Sequence, residues 1–220
     1  MLEPGLIVSC QARPDNPLHG PAFMAAMARA ADQGGAVGLR ANGPDDVRAI
    51  KAVTDLPVIG IFKVDVDGFE VVITPALRWA RAVAEAGADV IALDATRRSH
   101  PEGTAGELIA RVKGELGLPV FADVATFEEG LAAAEASADY VATTLSGYTS
   151  YSPPTVGPDL VLLERLCQAL DVPVVGEGRF DDPRQVAEAF ARGAHAVVVG
   201  TAVTNPREIT RRFVRGVLPR

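Results

Sequence analysis

Lys63 closes an apolar run, Val58-Ile59-Gly60-Ile61-Phe62, a setting where lysine is uncommon. An amine is ordinarily protonated near neutral pH, with a reference pKa of about 10.4. Desolvation and a neighbouring cation lower that value, and the neutral amine can then act as base or nucleophile. The plain alternative is a lysine that reaches solvent. A second group, Gly176-Glu177-Gly178-Arg179, ends another apolar run. Glycine on both sides lets a ligand approach the backbone. Glu177 can orient the lysine, move a proton or hold a hydroxyl; otherwise it forms an ion pair that closes the end of the fold. A nearby carboxylate raises a lysine's pKa. The two therefore work as a base only where burial or a cation such as Arg40 offsets this, or where protons are shared.

Further candidates follow other apolar runs. Arg40 is suited to polarise a carbonyl or grip a ligand, and Asp123 to take hydroxyls. Gly178, Arg179, Gly200 and Thr201 together suit an anion, with accessible backbone N–H groups and one guanidinium. Asp94, in Asp94-Ala95-Thr96, reads equally as a hydrogen-bonding residue that holds the end of the fold together. Gln11, Thr143 and Thr144 also stand just past apolar runs.

Positioning all of these takes eight short strands, expected at 5–10, 36–39, 58–62, 90–93, 120–122, 140–142, 174–175 and 196–199. Helices are expected between them, at 21–33, 44–53, 75–86, 104–116, 126–136, 158–170, 183–192 and 206–218. Two weak repeats support the alternation. Leu56-Pro57-Val58, Leu118-Pro119-Val120 and Val172-Pro173-Val174 open alternate strands; stretches such as Glu85-Ala86-Gly87-Ala88-Asp89-Val90 lead a helix into the others. The spacing of roughly 50 to 60 residues fits a repeated βαβα quarter. Several helices begin with proline, tolerated in a first turn, and Thr126-Phe127-Glu128-Glu129 has capping-box spacing. Eight alternating units predict a single (β/α)8 TIM barrel over residues 1–220, of the phosphate-binding type. In that fold the residues past the strand ends form the active face, and the loops after strands seven and eight hold phosphate. The stretch 146–154, within the loop after strand six, is a candidate mobile cover, or an ordinary surface loop.

Composition narrows the function. The 220 residues are 48% hydrophobic but only 5% aromatic, and the formal net charge is -7. Such acidity is unsuited to nucleic acid, though not to one phosphate. No apolar run approaches a membrane span. The start lacks a basic segment followed by a long apolar one, so a soluble cytoplasmic protein is expected. Cys10 and Cys167 form no motif, and Cys10 reads as a small buried residue. His19, His100 and His195 show no ligand spacing, so no metal is expected. There is no dinucleotide-binding Gly-x-Gly-x-x-Gly in its required context.

Taken together, these residues resemble the N-acetylmannosamine-6-phosphate 2-epimerase family. The match runs nearly end to end, in barrel order. It is most specific in Ser9-Cys10-Gln11, Leu145-Ser146-Gly147-Tyr148-Thr149 and Glu177-Gly178-Arg179, and extends through 57–63, Ala92-Leu93-Asp94-Ala95-Thr96 and 195–202. The resemblance implies a cofactor-free epimerase of sialic-acid catabolism that inverts carbon 2 of N-acetylmannosamine 6-phosphate. It implies that Lys63 and Glu177 serve the proton transfer. Gln11, Arg40, Asp123, Tyr148 and Arg179 then surround sugar and phosphate. The family often has Lys-Arg-Asp after strand three; here Lys63-Val64-Asp65 lacks that cation, and Arg97-Arg98-Ser99-His100-Pro101 follows the family loop only loosely.

Two other readings use the same residues. One is a Schiff-base aldolase or synthase on a phosphate-binding barrel, with Lys63 attacking a carbonyl. The other is a non-catalytic sugar-phosphate-binding barrel, which needs no lysine–glutamate pair. A homodimer through an exposed apolar helix face is a further expectation.

Overall fold

Each apolar run pairs with the next in parallel, and the eighth returns to the first. The computed structural model, which describes residues 1–217, closes β1 (Gly5–Cys10), β2 (Gly38–Asn42), β3 (Val58–Ile61), β4 (Val90–Asp94), β5 (Val120–Asp123), β6 (Tyr140–Ala142), β7 (Val174–Glu177) and β8 (Ala196–Val199) into a barrel in that order. Around it run α1 (Pro21–Gln33), α2 (Pro44–Lys51), α3 (Leu77–Glu85), α4 (Ala105–Arg111), α5 (Phe127–Glu135), α6 (Leu160–Ala169), α7 (Pro183–Ala191), α8 (Thr201–Thr204) and α9 (Pro206–Val217). The (β/α)8 expectation holds. Leu218, the expected end of the last helix, lies outside the described residues.

The two-residue period of a strand divides the core. Ile59, Ile61, Val90, Ala92, Phe121, Tyr140, Val175 and Val198 fill the barrel interior. Val8, Leu39, Val58, Ile91, Leu93, Val141 and Val197 face outward to the helices. Each such side chain contributes about 1.5–3 kcal/mol of burial. Gly60 lies on the outward face, where an added Cβ would stand 2.6 Å from the Cβ of Ala88. Leu2 seals the floor: its N–H donates to the Tyr140 hydroxyl at 2.8 Å, and its carbonyl lies 2.9 Å from His195 Nε2.

Local chemistry sets the helix ends. Thr104 and Thr126 each form a capping box with the glutamate three residues on, and Asp182 does so with Gln185. Most other boundaries shift from expectation by one or two residues, and three differences bear on the site or have a clear local cause. Strand two runs from Gly38 to Asn42, which puts Arg40 inside the strand, opposite Ser9 and Ile59. The helix expected at 75–86 begins at Leu77, because Thr74 has a left-handed backbone (φ 47) and Ala76 is extended. The helix expected at 104–116 changes to a π turn over Val112–Leu116. That turn contains Gly114 and stops at left-handed Gly117; glycine weakens regular helix and favours such an end. α8 was not foreseen.

Candidate active site

Continuing the interior parity of each strand upward brings Gln11, Arg40, Asn42, Lys63, Asp94, Asp123, Thr144, Glu177 and Gly200 to the mouth of the barrel. The centre is an ionic cluster. Arg40, 1% exposed, crosses the interior and donates to Asp123 Oδ1 at 3.0 Å, to Asp123 Oδ2, and to Glu177. Its guanidinium lies 5.3 Å from the Phe121 ring centroid. Burial works against its charge, but Asp123 and then Glu177 more than offset this and hold it charged. Arg40 Nε is buried without a partner. Asp123 also accepts the Thr144 hydroxyl.

Glu177 has its main chain clasped by the Thr143 hydroxyl, which donates to its carbonyl at 3.0 Å and accepts its N–H at 3.1 Å. Burial pushes its carboxyl up to about 7; Arg40 and Lys63 oppose the rise, and Asp123 adds to it. Lys63 stands beyond β3. It is open to solvent at the mouth yet ringed by protein. That enclosure lowers its pKa, and the Arg40 charge lowers it further, against the pull of Glu177 and Asp123. Asn42 fixes its backbone, accepting the Lys63 N–H at 2.8 Å.

Thr74, missed in the sequence, supports the same strand end. Its hydroxyl donates to Ala92 O at 2.7 Å and accepts the Phe62 N–H at 3.0 Å, so it ties β3 to β4 below Lys63. A β-branched residue with positive φ is strained; Ile73-Thr74-Pro75 belongs to the stretches that resemble the family, but the residue types there do not announce that backbone. Asn42 was legible in principle, two residues beyond Arg40 on the same face.

Around the cluster, Gln11 donates to the Ser9 hydroxyl at 2.8 Å. Gly178 (φ 107) and Arg179 (φ 57) are both left-handed. That backbone turns the Arg179 side chain toward the loop after β6. It donates to Gly157 O at 2.8 Å, to Ser146 O at 2.7 Å and to the Thr155 hydroxyl, and lies 4.6 Å from the Tyr148 ring centroid. Arg179 therefore already binds a loop, where the sequence reading gave it only an anion. Gly200 precedes α8, where the Val203 and Thr204 N–H groups donate to Gly200 O at 2.9 Å and those of Thr201 and Ala202, in the first turn, have no intrahelical acceptor. Asp94 is fully buried and serves its own loop: it accepts from the Thr96 N–H at 3.0 Å and pairs with Arg98. Burial raises its pKa, against Thr96 and Arg98. Cys10 is buried, and burial pushes its thiol up to about 12, so it stays an unreactive thiol. Among the described residues no group of three or more His, Cys, Asp or Glu is arranged to hold a metal, and no helix is long and apolar enough to cross a membrane.

Comparison with known proteins gives one consistent answer. The family described as "Putative N-acetylmannosamine-6-phosphate epimerase" matches residues 24–218. A relative named "Putative N-acetylmannosamine-6-phosphate 2-epimerase", from Caldanaerobacter subterraneus subsp. tengcongensis, is 51% identical over 215 residues, covering 97% of this chain and 91% of its own. Another, from Cutibacterium acnes, is 50% identical over 212 residues, covering 95% and 92%. The solved N-acetylmannosamine-6-phosphate 2-epimerase from Clostridium perfringens matches with a TM-score of 0.95 at 42% identity, covering 98% of this chain and 94% of that one.

Proposed function

The chain belongs to the N-acetylmannosamine-6-phosphate 2-epimerase family, and on that premise we propose that it interconverts N-acetylmannosamine 6-phosphate and N-acetylglucosamine 6-phosphate at carbon 2. The observation that carries the reading is Lys63, lowered in pKa at the barrel mouth beside the Arg40–Asp123–Glu177 cluster. Carbon 2 is acidic only next to a carbonyl, so the sugar must first open to its aldehyde. Neutral Lys63 then removes the carbon-2 proton, and the enolate forms in the field of the Arg40 cation. Glu177, held near 7, is placed to take up or return protons. Asp123, Gln11 and Tyr148 hold the sugar. The phosphate lies against the turns of Gly178, Arg179, Gly200 and Thr201, and its binding orients the reacting end.

Proton NMR of the protein with N-acetylmannosamine 6-phosphate in deuterated water tests this. The expected result is N-acetylglucosamine 6-phosphate labelled at carbon 2 in wild type and no product with Lys63→Ala, which still binds the sugar phosphate. Near-normal turnover by Lys63→Ala removes Lys63 from the chemistry. A stable borohydride-trapped adduct would instead favour an aldolase using the same lysine.

The expected homodimer has a surface to use. α9 has no buried residue and exposes Phe213, Val214 and Val217. On the same chain an apolar groove of about 240 Å³, lined by Val8, Met27, Ala30, Ala31, Ala36 and Val203 among others, lies open between α1 and α8. A second copy's α9 is the occupant we propose, since helix and groove are each uncovered and match in chemistry. Light scattering should give a dimer, and Phe213→Asp a monomer; a monomeric wild type overturns it.

A further inference from the structure

Glu129 is the third residue of α5, where a capping-box glutamate reaches back to a backbone N–H at the helix start. Here it does far more. It is 5% exposed, and its two oxygens take four donors. Oε2 accepts the N–H of Ala125 at 2.9 Å and of Thr126 at 3.1 Å. Oε1 accepts the N–H of Arg97 at 2.8 Å and the Tyr151 hydroxyl at 2.6 Å. These donors belong to the loops after β4, β5 and β6. Capping α5 requires only the middle one. The Arg97 guanidinium also lies 3.9 Å from the Tyr151 ring centroid. Burial and then Glu129 hold the Tyr151 hydroxyl above its ordinary pKa, so it remains a donor.

Tyr151 shares its loop with Thr144, which holds Asp123, and with Tyr148, which is 57% exposed beside the Gly178 turn. Arg179 pins that loop through Ser146, Thr155 and Gly157. Tyr151–Glu129 is a second pin, on the β4–β5 side. We propose that Glu129 and Tyr151 are positioning residues for the epimerase reaction: their bond sets the loop after β6, and with it Tyr148, over the sugar-phosphate site. The inference rests on the functional reading above, since it takes Tyr148 to contact the substrate.

Tyr151→Phe tests it, because the ring and its stacking with Arg97 remain while one hydroxyl goes. A single charge-assisted hydrogen bond changes the ratio of closed to open loop by about tenfold or more, and apparent affinity falls with the closed fraction. The expected result is KM for N-acetylmannosamine 6-phosphate raised about two- to tenfold with kcat unchanged. Amide exchange over 145–151 should quicken, with none over the barrel strands. Unchanged KM overturns the proposal, whether exchange is unchanged or only the melting temperature falls. A wild type without epimerase activity overturns the functional reading instead; loop exchange in Tyr151→Phe then still shows whether the bond sets the loop.

Discussion

Replacing Arg40 with methionine isolates the electrostatics of the site. The guanidinium supplies three hydrogen bonds to Asp123 and Glu177, and Arg40 itself is 1% exposed. Arg40→Met leaves two carboxyls facing each other in the barrel interior with no neighbouring guanidinium. Removing one partner of a buried ion pair costs about 3–5 kcal/mol. At roughly 2–4 °C per kcal/mol for a chain of this size, the melting temperature should fall by about 6–20 °C. The loss must depend on pH. Glu177 already titrates at about 7 with Arg40 present. A carboxyl raised in the folded state contributes its stability fully below the ordinary carboxylate range and loses it as pH rises through the folded value. Without Arg40 the larger opposing charge is gone, so the penalty grows as Glu177 ionises. Urea unfolding followed by circular dichroism should show a loss near the top of the range at about pH 8 and a clearly smaller one at about pH 5.5. The triple variant Arg40→Met, Asp123→Asn, Glu177→Gln removes every charge of the set and should recover most of the loss. A loss below about 1 kcal/mol at the higher pH, or an equal loss at both, would refute the reasoning.

Lys63 is lowered from the ordinary lysine value, and in the proposed reaction its neutral form is the base. The kcat/KM profile should therefore rise with pH and level off below about 10, and a rise that continues to the free-lysine value would contradict the assignment. Gly60→Ala places a Cβ 2.6 Å from the Cβ of Ala88; neither carbon is a flexible tip, so chemical denaturation should show a loss of about 1–3 kcal/mol. Tyr140→Phe strips the acceptor from the buried Leu2 N–H at the floor and should cost about 1–3 kcal/mol with kcat unchanged, because the floor is remote from the reacting end.

The strands were legible because each is an apolar run bounded by proline or glycine, and alternation then fixed which side chains face inward. Arg40 shows how robust this is. The strand end was misplaced by three residues, yet Arg40 keeps the interior face in either reading, since facing follows parity and not the end point. Lys63 and Glu177 were conspicuous because charge rarely stands in such runs. Thr74 was not, because its role comes from a left-handed backbone that returns a long loop to β3. Glu129 was read as one half of a capping box, which it is. Its other two donors come from residues 32 positions before it and 22 after it, and no local pattern announces them. α8, at four residues, is too short to show a period.

A carboxylate raises a neighbouring lysine's pKa, which sets Glu177 against Lys63. In the assembled cluster the opposition becomes a means of sharing one proton. Arg40 and Asp123 cancel in charge, so the state of the cluster depends on Lys63 and Glu177. One proton between them gives either ammonium with carboxylate or amine with carboxylic acid, and both sum to zero. In water the second form is costly, because the reference values lie about six pKa units apart. Burial penalises the two charges of the first form and leaves the second untouched. The shifts run that way: Glu177 rises to about 7 and Lys63 falls. On the proposed reading, Glu177 thus lets Lys63 become a free base without adding a net buried charge. A base that must take a proton from one face of carbon 2 and supply one to the other benefits from a neighbour that can hold the proton in its place.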